Sequence, residues 1–211
     1  MSRLLPKPQA LLLALVALSP FLLPTSAHAQ FALAPGTYQL ANGAQGAASL
    51  KFVPAEADHP TLVTGVRNGQ ERSFRCAEVA AFTVDNHKFS RQDGFRLRAG
   101  YDVQHPGPVL LELVETGPVE LFYYHYVAEM GASLKAHVRL PVLRKQGTQT
   151  FFVYSPQRTP GLPPNQGIGT FAAALFGADP VLQRRFATNA VTRTDIADLV
   201  RAYNSGVRLK L

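Results

Sequence analysis

The feature that most constrains this chain is its punctuation. From about Tyr38 to Tyr154, strand-length runs are broken by turn dipeptides at intervals too short for helices. The breaks are Asn42-Gly43, Asn68-Gly69, Asp85-Asn86, Thr116-Gly117-Pro118 and Gln146-Gly147. Asn-Gly suits a tight hairpin because both central positions of the favoured turn need positive φ. The spacing predicts strands over Thr37–Leu40, Ala48–Val53, Thr61–Val66, Glu71–Arg75 and Val79–Val84. Further strands are expected around Lys88-Phe89, then over Phe95–Arg98, Val109–Glu115, Val119–Val127, Leu134–Leu143 and Thr148–Tyr154. Strands at this spacing build an antiparallel barrel, roll or sandwich. Pro141 lacks a ladder donor, so this reading places it at an edge or a bulge.

The period then changes. Residues 155–166 hold Pro156, Pro160, Pro163 and Pro164 and read as a linker or loop. Ile168 to Phe176 is apolar and Ala-rich, with Gly177 placed to end a helix. Asp179-Pro180 is an N-cap followed by proline at the first helical position. Thr192 with Asp195 three residues on resembles a capping box, and Ile196, Leu199, Val200 and Tyr203 share one helical face. The expected fold is therefore α+β: a β-rich domain over 30–154, then a segment of about three short helices over 167–211 packed upon it.

The N-terminus reads as an address. Arg3 and Lys7 precede an apolar run from Ala10 to Leu23, and Ala27-His28-Ala29 offers small residues where a signal peptidase cuts. Residues 1–29 are thus expected to be a cleaved signal peptide. The run falls short of the ~20 residues that span a bilayer, and Pro20 and Pro24 interrupt it. No Cys directly follows the run, which argues against lipid anchoring, and no later segment is apolar enough to span a membrane. The expected location is periplasmic or extracellular.

Composition excludes some chemistry. With 46% hydrophobic and 17% charged residues the chain is not a disordered one. Its one cysteine, Cys76, cannot form an internal disulfide and reads as a small core residue. The net charge is +7, but the basic residues are scattered, and export argues against nucleic acid. His59, His87, His105, His125 and His137 show no metal-ligand spacing, so no metal is expected. No phosphate loop, dinucleotide fingerprint or Gly-x-Ser-x-Gly elbow is present, so no cofactor is implied. Ser133 and Lys135 would share a strand face, which occurs readily by chance. Arg184-Arg185 reads as a solvated helix face, and Arg158 is the basic residue of the proline-rich segment.

The stretch Phe122-Tyr123-Tyr124-His125-Tyr126 is the most unusual. Tyrosines combine apolar bodies with hydroxyl tips, as binding surfaces do, so Tyr123, Tyr124 and Tyr126 are binding candidates. Strand alternation sets Phe122, Tyr124 and Tyr126 on one face and Tyr123 and His125 on the other. A two-residue turn at Thr116-Gly117 would place Glu112 on the face of Tyr123 and His125. A three-residue turn would separate them. Glu112 and His125 are the acid–base candidates.

Several segments resemble a group of exported bacterial proteins. They are Gly36-Thr-Tyr-Gln-Leu, Leu50-Lys-Phe-Val-Pro, the run from Val109 through Tyr124, Asp179-Pro-Val-Leu, and Ile196-Ala-Asp-Leu-Val-Arg-Ala-Tyr-Asn. The group pairs a β-rich part with a short helical C-terminus ending in Tyr-Asn. The resemblance implies export and this layout, and it transfers no site residues. The expectation is a non-enzymatic envelope or secreted module that binds another protein or a surface polymer. The alternative is a hydrolase acting on envelope or extracellular polymers through Glu112 and His125 on the 109–127 hairpin.

Overall fold

The computed structural model describes residues 31–56, 61–93, 96–98, 102–104, 108–129, 135–154, 168–177, 179–188, 190–192 and 195–207. The expected signal segment, the proline-rich linker with Arg158, and His59, His105 and Ser133 lie outside these residues. The strands are β1 (Ala34–Leu40), β2 (Gln45–Val53), β3 (Leu62–Arg67), β4 (Gln70–Arg75), β5 (Val79–Val84) and β6 (His87–Gln92). They continue as β7 (Arg96–Arg98), β8 (Asp102–Gln104), β9 (Val109–Glu115), β10 (Val119–Glu129), β11 (Lys135–Lys145) and β12 (Thr150–Val153). Three helices follow: α1 (Ile168–Phe176), α2 (Pro180–Ala187) and α3 (Asp195–Asn204). The strands join in one sheet of order β4-β3-β2-β1-β5-β6-β9-β10-β11-β12-β7-β8, so the protein is α+β. Among the described strand pairs only β12–β7 is parallel, beside an isolated parallel bridge between Ala55 and Tyr126. Among the described residues no helix is long and apolar enough to cross a membrane.

Local chemistry explains the hairpins. Asn68 and Gly69 both have positive φ, 50° and 75°, and Arg67 pairs with Gln70 across the turn. Asp85 takes φ 52° between β5 and β6. Pro141 departs from expectation, because it lies inside β11 between β10 and β12, opposite Tyr123 and with no bulge. Its carbonyl accepts the Tyr154 N–H at 2.9 Å, just where the β12 ladder runs out. Its missing N–H therefore faces the end of a ladder, which is what lets an interior strand tolerate it.

A short connection forces the sheet to curl. Only three residues separate β6 from β7, a span of at most about 14 Å. Along a flat sheet the five strand spacings between them would cover about 24 Å. The strands from β6 to β7 must bend round on themselves. The side chains facing this curl form a core of Leu111, Phe122, Leu140, Val142, Phe151 and Val153. Arg144 on β11 reaches Gln92 on β6 at 3.3 Å, although β9 and β10 lie between them in the sheet. The N-terminal strands curl toward the opposite face. There the Val127 N–H donates to the Ala55 carbonyl at 2.9 Å, tying the end of β2 to β10. A second core of Leu50, Phe52, Val63, Phe82, Phe89 and Leu110 fills that side.

β9 and β10 are thus covered on both faces, and that accounts for the unbroken apolar run of Val109 to Val114 around a single Glu112. The third core joins Val119, Leu121, Leu143 and Tyr154 to Leu175, Phe176, Leu182, Phe186, Ile196 and Val200 of the helices. Asp179 caps α2 by accepting from the N–H groups of Val181 and Leu182. Thr192 and Asp195 bond reciprocally ahead of α3. The Tyr154 hydroxyl donates to the Val191 carbonyl at 2.7 Å.

The last residue of α3 clamps the sheet. Asn204 Oδ1 accepts the Val119 N–H at 3.0 Å, and its Nδ2 donates to the carbonyls of Val119 and Thr116 at 2.7 and 3.2 Å. Gly117, at φ 145°, leaves the room this needs: a Cβ there would stand 2.7 Å from Asn204 Cγ. One turn earlier Arg201 pairs with Glu115 and Asp198. Asn204→Ala should lower the unfolding free energy by about 1–3 kcal/mol in chemical denaturation, because it strips three bonds from this connection. Gly117→Ala should also destabilise, and the portion due to the clash with the Asn204 amide should disappear when both changes are combined, leaving the tight contact with the residue-204 Cβ at 3.0 Å.

Candidate functional site

The β9–β10 connection is longer than a two-residue turn, since the first residues to pair are Glu115 and Leu121. That register alone would set Glu112 on the face of Tyr124. A bulge between Leu121 and Phe122 shifts it by one, with Val114 as the extra residue, so Glu112 comes opposite Tyr123. Glu112 therefore shares the face of Tyr123 and His125, as a two-residue turn would also have arranged. The turn is larger than expected and the bulge cancels the difference.

On that face a continuous hydrogen-bonded chain crosses four strands. His87 on β6 meets Glu112 Oε1 through Nδ1 at 2.5 Å. His125 on β10 meets Glu112 Oε2 through Nε2 at 2.7 Å. A carboxylate only accepts, so both facing nitrogens carry protons. Nδ1 of His125 is then the acceptor, and it takes the Nε2–H of His137 on β11 at 3.0 Å. The rings of His125 and His137 stack at 5.1 Å. Phe31 lies edge-on over the chain, with centroids 5.0 Å from His87 and 5.2 Å from His125. Phe52 and Phe89 close the side, and the Arg139 guanidinium sits 4.6 Å over the Tyr123 ring.

The electrostatics follow from burial. Glu112 is 6% exposed and His125 is 1% exposed. Burial pushes the Glu112 carboxyl up, but the bonds from His125 and His87 outweigh it and hold the group below the usual carboxylate range. Burial holds His125 below the ordinary imidazole value against the pull of Glu112. His137 is lowered to about 4, by burial first and then by His125 and Arg139. The ground state therefore sets an ionised Glu112 carboxylate against a neutral His125, with a neutral His137 beyond it. Among the described residues no three of His, Cys, Asp and Glu converge as a metal would require.

The tyrosines divide between faces. Tyr123 is buried beside the chain, whereas Tyr124 and Tyr126 are half-buried on the opposite face and stack at 5.7 Å. They do not form one three-tyrosine surface. Cys76 is buried, with its thiol directed to the Pro108 carbonyl at 3.0 Å and its pKa pushed to about 11 by burial. Lys135 pairs with Glu56 at 2.7 Å. Sequence reasoning missed His87, His137 and Phe31. Only the pairing of β6 with β9 and of β10 with β11 brings the two histidines into the chain with Glu112, and no local signal encodes it; Phe31 comes from the segment ahead of β1.

Two open concavities lie elsewhere. A trough of about 610 Å³ crosses β2, β1, β5 and β6, lined by Thr37, Gln39, Ala47, Ala81, Thr83 and Lys88 from the face opposite the aromatic core. A smaller pocket of about 200 Å³ lies at the β3–β4 hairpin. Neither is lined by Glu112, His87, His125 or His137. No family model matches the chain, and no curated protein or solved structure matches it at a significant level.

The histidine chain makes stability depend on acid. His137 titrates near 4 when folded and near 6.5 when free, so the unfolded chain takes up its proton first as pH falls. Stability is intact above pH 6.5 and declines toward pH 4. Glu112, lowered from 4.5, loses its contribution as pH falls further, in the same direction. The melting temperature should fall across this range. His137→Gln keeps an N–H donor for His125 and should flatten the slope between pH 6.5 and 4, as followed by calorimetry.

Proposed function

We propose that this is an exported binding module that holds a hydroxyl-rich surface polymer in the trough over β2, β1, β5 and β6. The trough's lining carries the reading. Thr37 and Thr83 meet through their hydroxyls at 2.8 Å, Gln39 and Gln45 flank them, and Lys88 supplies positive charge. Ala47 and Ala81 keep the floor low, so an extended chain can lie across the strands. Uncharged side chains that both donate and accept suit the hydroxyls of a glycan. The best acid–base pair is buried beneath Phe31, which weighs against a reaction in this conformation.

Affinity electrophoresis against neutral and acidic polysaccharides tests this. The wild-type chain should be retarded by at least one polymer, and Ala81→Tyr, which fills the trough, should lose most of that retardation while melting unchanged. Equal mobility of the two proteins in every gel would refute the reading.

The contact of Glu112 with His125 at 2.7 Å favours a second reading, a polymer hydrolase in which Phe31 moves aside. Phe31→Ala should then raise hydrolysis of a polysaccharide panel, and Glu112→Gln in that background should abolish it. Absence of reducing ends from all variants would exclude it.

A further inference from the structure

The β3–β4 hairpin carries a pocket that neither reading uses. Strand pairing sets Gly65 opposite Arg72 and Arg67 opposite Gln70, with Phe74 two residues along on the same face. Arg67 and Arg72 are therefore diagonal neighbours on adjacent strands, roughly 7–8 Å apart at Cα. Both are exposed, and neither makes a hydrogen bond or ion pair with any described residue. Glu71, between Gln70 and Arg72, points to the opposite face. Two like charges so placed repel each other, and an anion shared between them relieves that repulsion.

The pocket is shaped as well as charged. Tyr38 and Phe74 are neighbouring rings at 5.3 Å, and both line it, with Ala48 and Gly65 beneath. Gly65 matters because a Cβ there would come within 3.2 Å of Leu50 and 3.8 Å of Phe74. The Arg72 guanidinium rests 4.7 Å over the Phe74 ring. Stacking occupies the face of that group and leaves its in-plane N–H donors for a ligand. At roughly 30 Å³ per water, about 200 Å³ accommodates six or seven waters, the size of one pyranose ring with a charged substituent.

We propose that this pocket binds a single anionic sugar residue, its carboxylate or phosphate held between Arg67 and Arg72 and its ring lying against the half-buried Tyr38, which the buried Phe74 backs. The pocket and the trough both touch Tyr38, but Arg67 and Arg72 line only the pocket, and Thr37, Ala81, Thr83 and Lys88 line only the trough. The charged group supplies most of the affinity through forked guanidinium bonds. The Tyr38 ring discriminates a ring-bearing ligand from a free anion.

Amide chemical-shift mapping with four probes tests the proposal: glucuronate, glucose 6-phosphate, glucose and inorganic phosphate. One or both of the anionic sugars, glucuronate and glucose 6-phosphate, should shift resonances of Tyr38, Gly65, Arg67, Arg72 and Phe74, and which of them does so separates carboxylate from phosphate. Glucose and inorganic phosphate should each bind at least about tenfold more weakly. Arg67→Gln and Arg72→Gln alter exposed residues and should each weaken binding about tenfold without changing the melting temperature. Ala81→Tyr should leave these shifts intact, so failure here and failure of the trough reading are separable. Shifts absent with both anionic sugars would overturn the proposal. So would equal binding by inorganic phosphate, or undiminished binding by the glutamine variants.

Discussion

A strand pair covered on both faces has no solvent side, and this constraint governs the rest of the molecule. β9 and β10 carry one core inside the curl toward β7 and another, with the helices, on the reverse. Every polar side chain on them must find a partner or be excluded, since an unpaired buried charge costs several kcal/mol. Glu112 is the charged residue that enters most deeply, and it is doubly bonded. Its two imidazoles each satisfy one carboxylate oxygen, and His137 satisfies the nitrogen that His125 has left. The histidines follow from the carboxylate in this sense, for removing it would leave the buried His125 N–H without its acceptor and the half-buried His87 without its partner.

The same logic separates the cluster's chemistry from its accessibility. A carboxylate that orients an imidazole is the arrangement a general base requires. Here the imidazole's remaining nitrogen meets another histidine, not a cavity, and Phe31 overlies both. The open surfaces are instead lined by threonine, glutamine, lysine and arginine, which suit binding. Geometry fit for catalysis and geometry fit for contact with ligand thus occupy different parts of the sheet.

Much of the fold was legible because its signals are local. Asn68-Gly69, the Asp179-Pro180 cap and the α3 stripe each act within a few residues, and each appears where its chemistry demands. The membership of the site was legible only in part. Alternation paired Tyr123 with His125, yet the face taken by Glu112 depends on a bulge, which no turn dipeptide announces. His87 and His137 join through pairing between strands distant in sequence, as the register of β6 on β9 and β10 on β11 shows. Pro141 misled for a related reason: its tolerance depends on where the neighbouring ladder stops, a property of β12.

The helical end also acts on the site. Asn204 holds both polar groups of the Val119 backbone and the carbonyl of Thr116, and Arg201 binds Glu115 on the outgoing strand. These contacts grip the β9–β10 connection from Glu115 to Val119, immediately before the bulge that turns Glu112 toward His125. A freely mobile connection could slip by one residue, and a slip of one would carry Glu112 to the Tyr124 face. That face is an apolar core centred on Leu111 and Phe122, where a carboxylate would lack its imidazole partners. The C-terminal helices therefore do more than cover an apolar patch, since by pinning one turn they fix the register on which the buried carboxylate depends.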